Sequence, residues 1–434
     1  MSFKRHFPIY KQACLYLLAA AGFFFLSYYI ANVYTASLKF VPSISYSWEK
    51  YIPFMPWTII PYWTMDLLYG LSFFLCNSIK ELKVHTARLM LASLFCCLFF
   101  IIFPLSCSTP IPPVENPLFN YLFFGSDLVA TSFNQAPSLH IALAWLVWLA
   151  FYRHTKGVFR VLFTAWFILI GLSVLCCYQH HFIDIPTGLF AGILISYLLP
   201  LKSYERVNSP DKKSRNKFAF YYFTGSVILF VTAFYLQNFA FLLLWPAAAL
   251  LAVALAYLHW GTSVFQKDSL GRMTISARIF LAPYRLSAYI SKLYFTRNLE
   301  SYNLLAHNLY IGALPKKEMK QDFLIDITAE FASSKIKCKG VYAFPRMDLT
   351  AQSPAQIQQA AQKTVEAMQK GSVLVCCALG LSRSATVATA VLVLIQKINI
   401  EKAINITKYS RPQIVLNKEQ IQNLLRWYQF YIIK

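Results

Sequence analysis

Long apolar runs fill the chain to about residue 260 and then stop. They lie near 12–34, 56–77, 88–106, 137–152, 160–178, 184–201, 218–236 and 239–259. At 1.5 Å per residue, a run of about 20 crosses a hydrocarbon core of roughly 30 Å. The pattern therefore predicts eight membrane spans, the fourth being the shortest. The first run follows Lys4, Arg5 and Lys11, as in a secretory leader, but its apolar stretch is too long for a cleaved peptide and reads as a retained anchor.

Beyond 262 the pattern changes. Over 274–297, Arg278, Arg285, Lys292 and Arg297 alternate with Leu, Ile, Phe and Tyr around Pro283. This segment is too charged to span and fits either an amphipathic helix at a lipid interface or a helix packed on its own domain. Residues 323–327, 340–344 and 372–376 read as strands. Ser353-Pro354-Ala355-Gln356 is a capping box opening a helix that stops before Gly371. The apolar stretch 384–396 is too short to span and reads as a buried core helix, with two more helices near 399–409 and 417–432. The predicted domains are a polytopic membrane domain over 1–262, an amphipathic linker over 263–300 and a soluble α/β domain over 301–434, its central sheet flanked by helices.

Composition agrees with a membrane protein: 57% of residues are hydrophobic and 13% charged, yet the net charge is +22. An ordinary soluble domain is about a quarter charged. Residues 1–262 hold 17 Lys and Arg, and all but Lys39 and Lys50 fall at the N-terminus or in alternate loops. The positive-inside rule makes that side cytoplasmic, and with it both termini and residues 263–434. The basic run over 202–217 is read as a loop beside anionic lipid, not as a nucleic-acid surface. Most of the ten cysteines lie in apolar segments, and no spacing suggests a zinc site or a disulfide framework. No metal and no cofactor is predicted.

The chemistry of the second half concentrates in Val375-Cys376-Cys377-Ala378-Leu379-Gly380-Leu381-Ser382-Arg383-Ser384. A cysteine ends a buried strand, an arginine follows six residues later, and a helix starts at once. A five-residue loop in that setting turns its N–H groups toward one point, aided by the helix N-terminus, and so forms an anion cradle. Arg383 can hold phosphate oxygens in a bidentate fork, and the same positive field makes Cys377 a thiolate nucleophile. The segment resembles the signature loop of the Cys-based dual-specificity phosphatases. Asn308 to Pro315 is similar to the opening of that family's domain, and 326–331 to its early strand. The resemblance implies that Cys377 attacks phosphorus. It gives phosphate binding to Ala378, Leu379, Gly380, Leu381, Ser382 and Arg383, proton donation to Asp348 as general acid, and breakdown of the phosphocysteine to Ser384. Cys376 stands where the family usually has His.

The apolar half carries a second polar group. Pro137-Ser138-Leu139-His140 opens the fourth predicted span and His180-His181-Phe182-Ile183-Asp184 opens the sixth, both at non-cytoplasmic ends. Such residues within a bilayer call for a function. A His oriented by a carboxylate four residues on, with a second His opposite, suits phosphoryl transfer. The spacing resembles two of the three motifs of the type 2 phosphatidic acid phosphatases (PAP2), over a core of about 50–201, and that resemblance implies about six spans of the PAP2 type plus two more. The resemblance makes His180 the nucleophile, Asp184 its partner and His140 the acid, with His181 a neighbour. Val174 stands where that family has Arg, and no Lys or Arg occurs from 107 to 152, so Lys39 or Lys50 would have to reach in.

The chain thus resembles a bacterial inner-membrane fusion of the two families. It is expected to act on phospholipid phosphates, with phosphoprotein substrates as the alternative at the Cys377 site. A head-group transferase or a lipid-binding regulatory protein is a further alternative.

Overall fold

The computed structural model describes residues 7–124 and 133–433; Lys4 and Arg5 of the basic leader lie outside the described residues. The chain folds as two compact units, Met1–Lys202 and Ser203–Lys434.

In the first unit the helices are α1 (Phe7–Ala36), α2 (Ile59–Phe74), α3 (Ile79–Ile102), α4 (Pro117–Phe124), α5 (Leu139–His154), α6 (Gly157–Cys176) and α7 (Asp184–Leu198). α3 and α5 start at serine N-caps, Ser78 and Ser138, whose hydroxyls accept the N–H groups of Glu81 and Ile141. α5 and α7 pack through Gly188 and Gly192. A Cβ at Gly188 would come within 2.4 Å of the Ser138 carbonyl, and one at Gly192 within 2.9 Å of the Ala142 carbonyl. Small residues one turn apart let the backbones approach this closely. Cys96 and Cys97 are buried in the core with Leu89, Phe100, Leu143 and Ala191, acting as small apolar groups.

The second unit opens with α8 (Lys212–Leu236) and α9 (Leu244–Leu255), joined by the Ser226 hydroxyl donating to the Ala247 carbonyl at 2.7 Å. α10 (Ile275–Phe280) and α11 (Ala282–Thr296) follow, with Pro283 in the first turn of α11, where its missing N–H costs nothing. A five-stranded sheet comes next: β1 (Tyr302–Ala306), β2 (Leu309–Ala313), β3 (Phe323–Thr328), β4 (Gly340–Arg346) and β5 (Val373–Cys377), in the order β1-β2-β5-β3-β4. β1 and β2 are antiparallel and the other pairs parallel. On one face α12 (Pro354–Met368), α13 (Arg383–Gln396), α14 (Ile400–Ser410) and α15 (Lys418–Tyr428) bury Ile357, Val387, Val391 and Trp427. On the other face Ala288 of α11 packs against a cluster with Leu324, Leu374 and Cys376.

Among the described residues, five helical stretches are long and apolar enough to cross a membrane: Ile9–Ala36, Ile79–Ile102, Gly157–Cys176, Lys212–Leu236 and Phe239–Phe265. The other three predicted spans form the shorter helices α2, α5 and α7, of 16, 16 and 15 residues. The boundary between the two units, at 202/203, precedes the shift in composition at 262. α8 and α9 belong to the apolar half by composition and to the α/β unit by packing. Likewise 263–300 is more than a connector. Its Lys267 pairs with Asp326 of β3 at 2.5 Å, both side chains fully buried, and Lys292 donates to the Leu314 carbonyl.

Candidate active sites

β5 is central and entirely buried, flanked by two parallel neighbours, so its C-terminal end delivers Cys377 to the top of the sheet. The chain then turns through 378–382 into α13. Gly380 has φ +74° and passes so close to β2 that a Cβ would lie 2.2 Å from the Gly312 carbonyl carbon, so only glycine fits. Arg411, 1% exposed, donates from Nε to the Gly380 carbonyl at 2.9 Å, and the Leu381 carbonyl accepts the Val415 N–H at 2.9 Å. With its carbonyls turned away, the loop directs the N–H groups of Ser382 and Ser384 at the Cys377 sulfur. The Ser384 hydroxyl lies 3.3 Å from that sulfur. Burial opposes ionisation of Cys377. The Arg383 guanidinium, the Ser384 hydroxyl and those two N–H groups outweigh it and hold the thiol below its ordinary range.

Arg383 is 1% exposed and its fork is occupied by protein. Nη2 and Nη1 meet the two oxygens of Glu330 at 2.7 and 3.0 Å, Nη2 also meets Asp348 at 2.9 Å, and Nη1 donates to the Arg346 carbonyl at 2.9 Å. Partial burial, with 40% of the side chain still exposed, and the Glu330 charge push the Asp348 carboxyl above its ordinary range, against the opposing pull of Arg383. A raised carboxyl beside a depressed thiol is the pairing that an acid and a nucleophile working at one pH require. Cys376 points the other way, as alternation along a strand demands. It is buried in the opposite cluster, and burial raises its thiol.

In the first unit, the close packing of α5 on α7 brings His140, His180 and Asp184 to neighbouring helix starts, and the Ser138 N–H donates to the Asp184 carbonyl at 3.2 Å. His180 Nδ1 lies 3.1 Å from Asp184 Oδ2, and its Nε2 lies 3.2 Å from the Ser138 hydroxyl. A proton on Nδ1 given to the carboxylate leaves the Nε2 lone pair forward. The His140 ring stacks on Tyr62 with centroids 4.3 Å apart, and its Nε2 is buried without a partner among the described residues, as is Asp184 Oδ1. His181 takes a separate carboxylate. Its Nδ1 meets Glu49 at 2.8 Å, and its Nε2 meets the Ser108 N–H at 3.1 Å. Val174 is fully buried, and its carbonyl accepts the His180 N–H at 3.1 Å. Lys50 lies over the Tyr51 ring, and among the described residues no hydrogen bond or ion pair joins Lys39 to the histidines.

The family model for the dual-specificity phosphatase catalytic domain matches residues 309–430. Residues 309–430 are a dual-specificity phosphatase catalytic domain. Similar solved structures include Tk-PTP in its active form, at 20% identity and TM-score 0.27 over 30% of this chain and 99% of that one. Human DUSP28 is similar at 18% identity and TM-score 0.26, over 30% and 94%. PTPMT1 in complex with PI(5)P is similar at 19% identity and TM-score 0.26, over 30% and 96%. No curated protein matches the chain.

Within the phosphatase domain, the sequence-predicted Cys377, Arg383, Asp348 and Ser384 come together. Two residues that the sequence motifs do not single out complete the site. Glu330 lies inside the 326–331 stretch, two residues past the end of β3, and its one sequence signal is an acidic residue just beyond a buried strand. Arg411 sits at the end of α14, 31 residues from the carbonyl it holds, and no local spacing marks it.

Proposed function

We propose that this chain is a membrane-anchored phosphatase that hydrolyses phosphate monoesters at Cys377, with phospholipid phosphates as substrates. The observation that carries this reading is the buried thiol held below its ordinary range by Arg383, with the Asp348 carboxyl 2.9 Å from that guanidinium. The Cys377 thiolate attacks phosphorus, and the bond to the leaving oxygen breaks as Asp348 gives that oxygen its proton. Water then attacks the phosphocysteine, Asp348 takes a proton from it, and the thiolate leaves as phosphate is released, with the Ser384 hydroxyl stabilising the departing sulfur. The phosphate competes with the Asp348 carboxylate for Arg383, which frees the acid for the leaving group. Glu330 stays on the guanidinium and keeps the fork oriented.

Lipid is favoured because α8 and α9, both in stretches of spanning length and apolarity, belong to the same compact unit as the phosphatase domain. The loop charges put that unit on the cytoplasmic side, a reducing compartment in which a thiolate persists. Turnover by the purified chain on a panel of phospholipid monophosphates and on phosphotyrosine peptide tests the substrate class. A preference of the wild type for the peptide, lost in Cys377→Ser, would replace the lipid reading by the protein one.

A second reading concerns the first unit. In this proposal His180, with Asp184 on its Nδ1, is a nucleophile toward lipid phosphate and His140 the acid, on the non-cytoplasmic side expected from the loop charges. Turnover remaining in Cys377→Ser and removed by His180→Ala supports it. If no such turnover remains, the first unit is an anchor.

A further inference from the structure

Asp348 sits on a loop that is held from outside the 309–430 domain. Leu349, next to it, has φ +57°, a left-handed conformation that side chains other than glycine adopt only at a cost. Such a conformation persists where its surroundings over-determine it. Two hydroxyl donors do so here. Tyr257, near the start of the helical stretch Ala256–Trp260 that follows α9, donates its O–H to the Asp348 carbonyl at 3.0 Å. Ser209, ahead of α8, donates to the Ala351 carbonyl at 2.5 Å. Gln356, in the first turn of α12, donates back to the Asn208 carbonyl at 3.1 Å.

Neither donor is a mobile surface group. Tyr257 is 1% exposed, stacked on Tyr222 of α8 at 5.5 Å and against Phe218 at 5.7 Å, and the Tyr284 edge closes on Tyr222 at 5.7 Å. Ser209 is 7% exposed. The partner carboxylate is anchored in the same way, for Arg285 of α11 donates to the Glu330 carbonyl at 3.0 Å. Both acids on Arg383 therefore have their main chain held by residues 203–297.

We propose that Tyr257 and Ser209 are positioning residues for the general acid. They hold the Asp348 loop so that its carboxyl reaches the leaving oxygen, which makes the α8–α9 pair a working part of the phosphatase site. This rests on the phosphocysteine reading of Cys377.

The test uses the full chain in detergent or bilayer and a series of aryl phosphates whose leaving phenols range from acidic to weakly acidic. A misplaced acid slows only substrates that need protonation. Tyr257→Phe keeps the ring and removes the donor, and is expected to lower kcat roughly 3- to 10-fold for the weakly acidic phenols, the scale of one lost hydrogen bond. Activity on the most acidic phenol should stay within about twofold, and the alkaline limb of the pH profile should flatten. Ser209→Ala, which leaves the aromatic cluster intact, is expected to show the same selectivity in smaller measure. Equal losses across the series in both variants, or no loss in either, would overturn the proposal. Cys377→Ser is assayed alongside. If it keeps turnover, the nucleophile reading itself is wrong, whereas a dead Cys377→Ser with a flat Tyr257→Phe series removes only the positioning role.

Discussion

The two candidate sites place similar chemistry in different electrostatic settings. At Cys377 a nucleophile is paired with a buried guanidinium, and that guanidinium is balanced by Glu330 and Asp348. At His180 the proposed nucleophile has a carboxylate on Nδ1, but where the PAP2 pattern has Arg stands the fully buried Val174, and Lys50 rests on Tyr51. Removing a phosphate dianion from water is costly unless a cation or a ring of N–H donors receives it. The Cys377 loop supplies both. The His180 site supplies imidazoles, the Ser138 hydroxyl and, among the described residues, no cation in its contacts. An imidazole oriented by a carboxylate is therefore only half of what a phosphoryl-transfer site needs.

The largest effect that would break this comparison is Cys377→Ser. Monoester turnover should fall by more than roughly 10³-fold, since no other thiol among the described residues faces the loop; an activity near wild type in a steady-state assay would dismiss the Cys377 site. Next comes Asp348→Asn, expected to cost about 10²-fold on weakly acidic leaving groups. The wild-type kcat/KM should be bell-shaped in pH. Its acid limb, set by the depressed Cys377 thiol, lies below the usual thiol range, and its alkaline limb, set by the raised Asp348 carboxyl, lies above the usual carboxylate range. Because Asp348 acts protonated, Asp348→Asn should abolish the alkaline limb and leave the acid one. Arg383→Lys keeps the charge and loses the fork, so a loss of about 10- to 100-fold is anticipated, the worth of one or two charge-assisted hydrogen bonds. The smallest effect is read in a Cys377→Ser background. Val174→Arg should raise residual turnover of lipid monophosphates several-fold and His180→Ala should cancel that gain; if the arginine changes nothing, a missing cation is not what separates the sites.

Most of the local architecture was legible. The capping box at Ser353, the strands over 323–327, 340–344 and 372–376, and the buried helix after the loop all appear, shifted by a residue or two at their ends. The hairpin of β1 and β2 does not announce itself as strands, because its short runs alternate too little to stand out and gain their stability from pairing with each other and, through β2, with β5. The segment over 263–300 presents as an amphipathic linker because its charges alternate with apolar residues, a pattern that fits a lipid interface as well as a helix packed on its own domain. Lys267 and Lys292 are in fact buried among carbonyls and a carboxylate, and only the fold supplies those partners.

The sequence by itself determined whatever depends on short spacing. Six residues from Cys377 to Arg383 fit one turn into a helix, four from His180 to Asp184 fit the tight turn that leads into α7, and the apolar runs set the helix lengths. Chain geometry alone enforces these. Tertiary structure decided which distant groups complete each site. Glu330 on Arg383, Arg411 on the loop carbonyls, Tyr257 on the Asp348 carbonyl and Glu49 on His181 lie between 31 and 132 residues from their partners. No local preference encodes such pairs. They exist because a buried charge or carbonyl must find a partner once the core has closed around it.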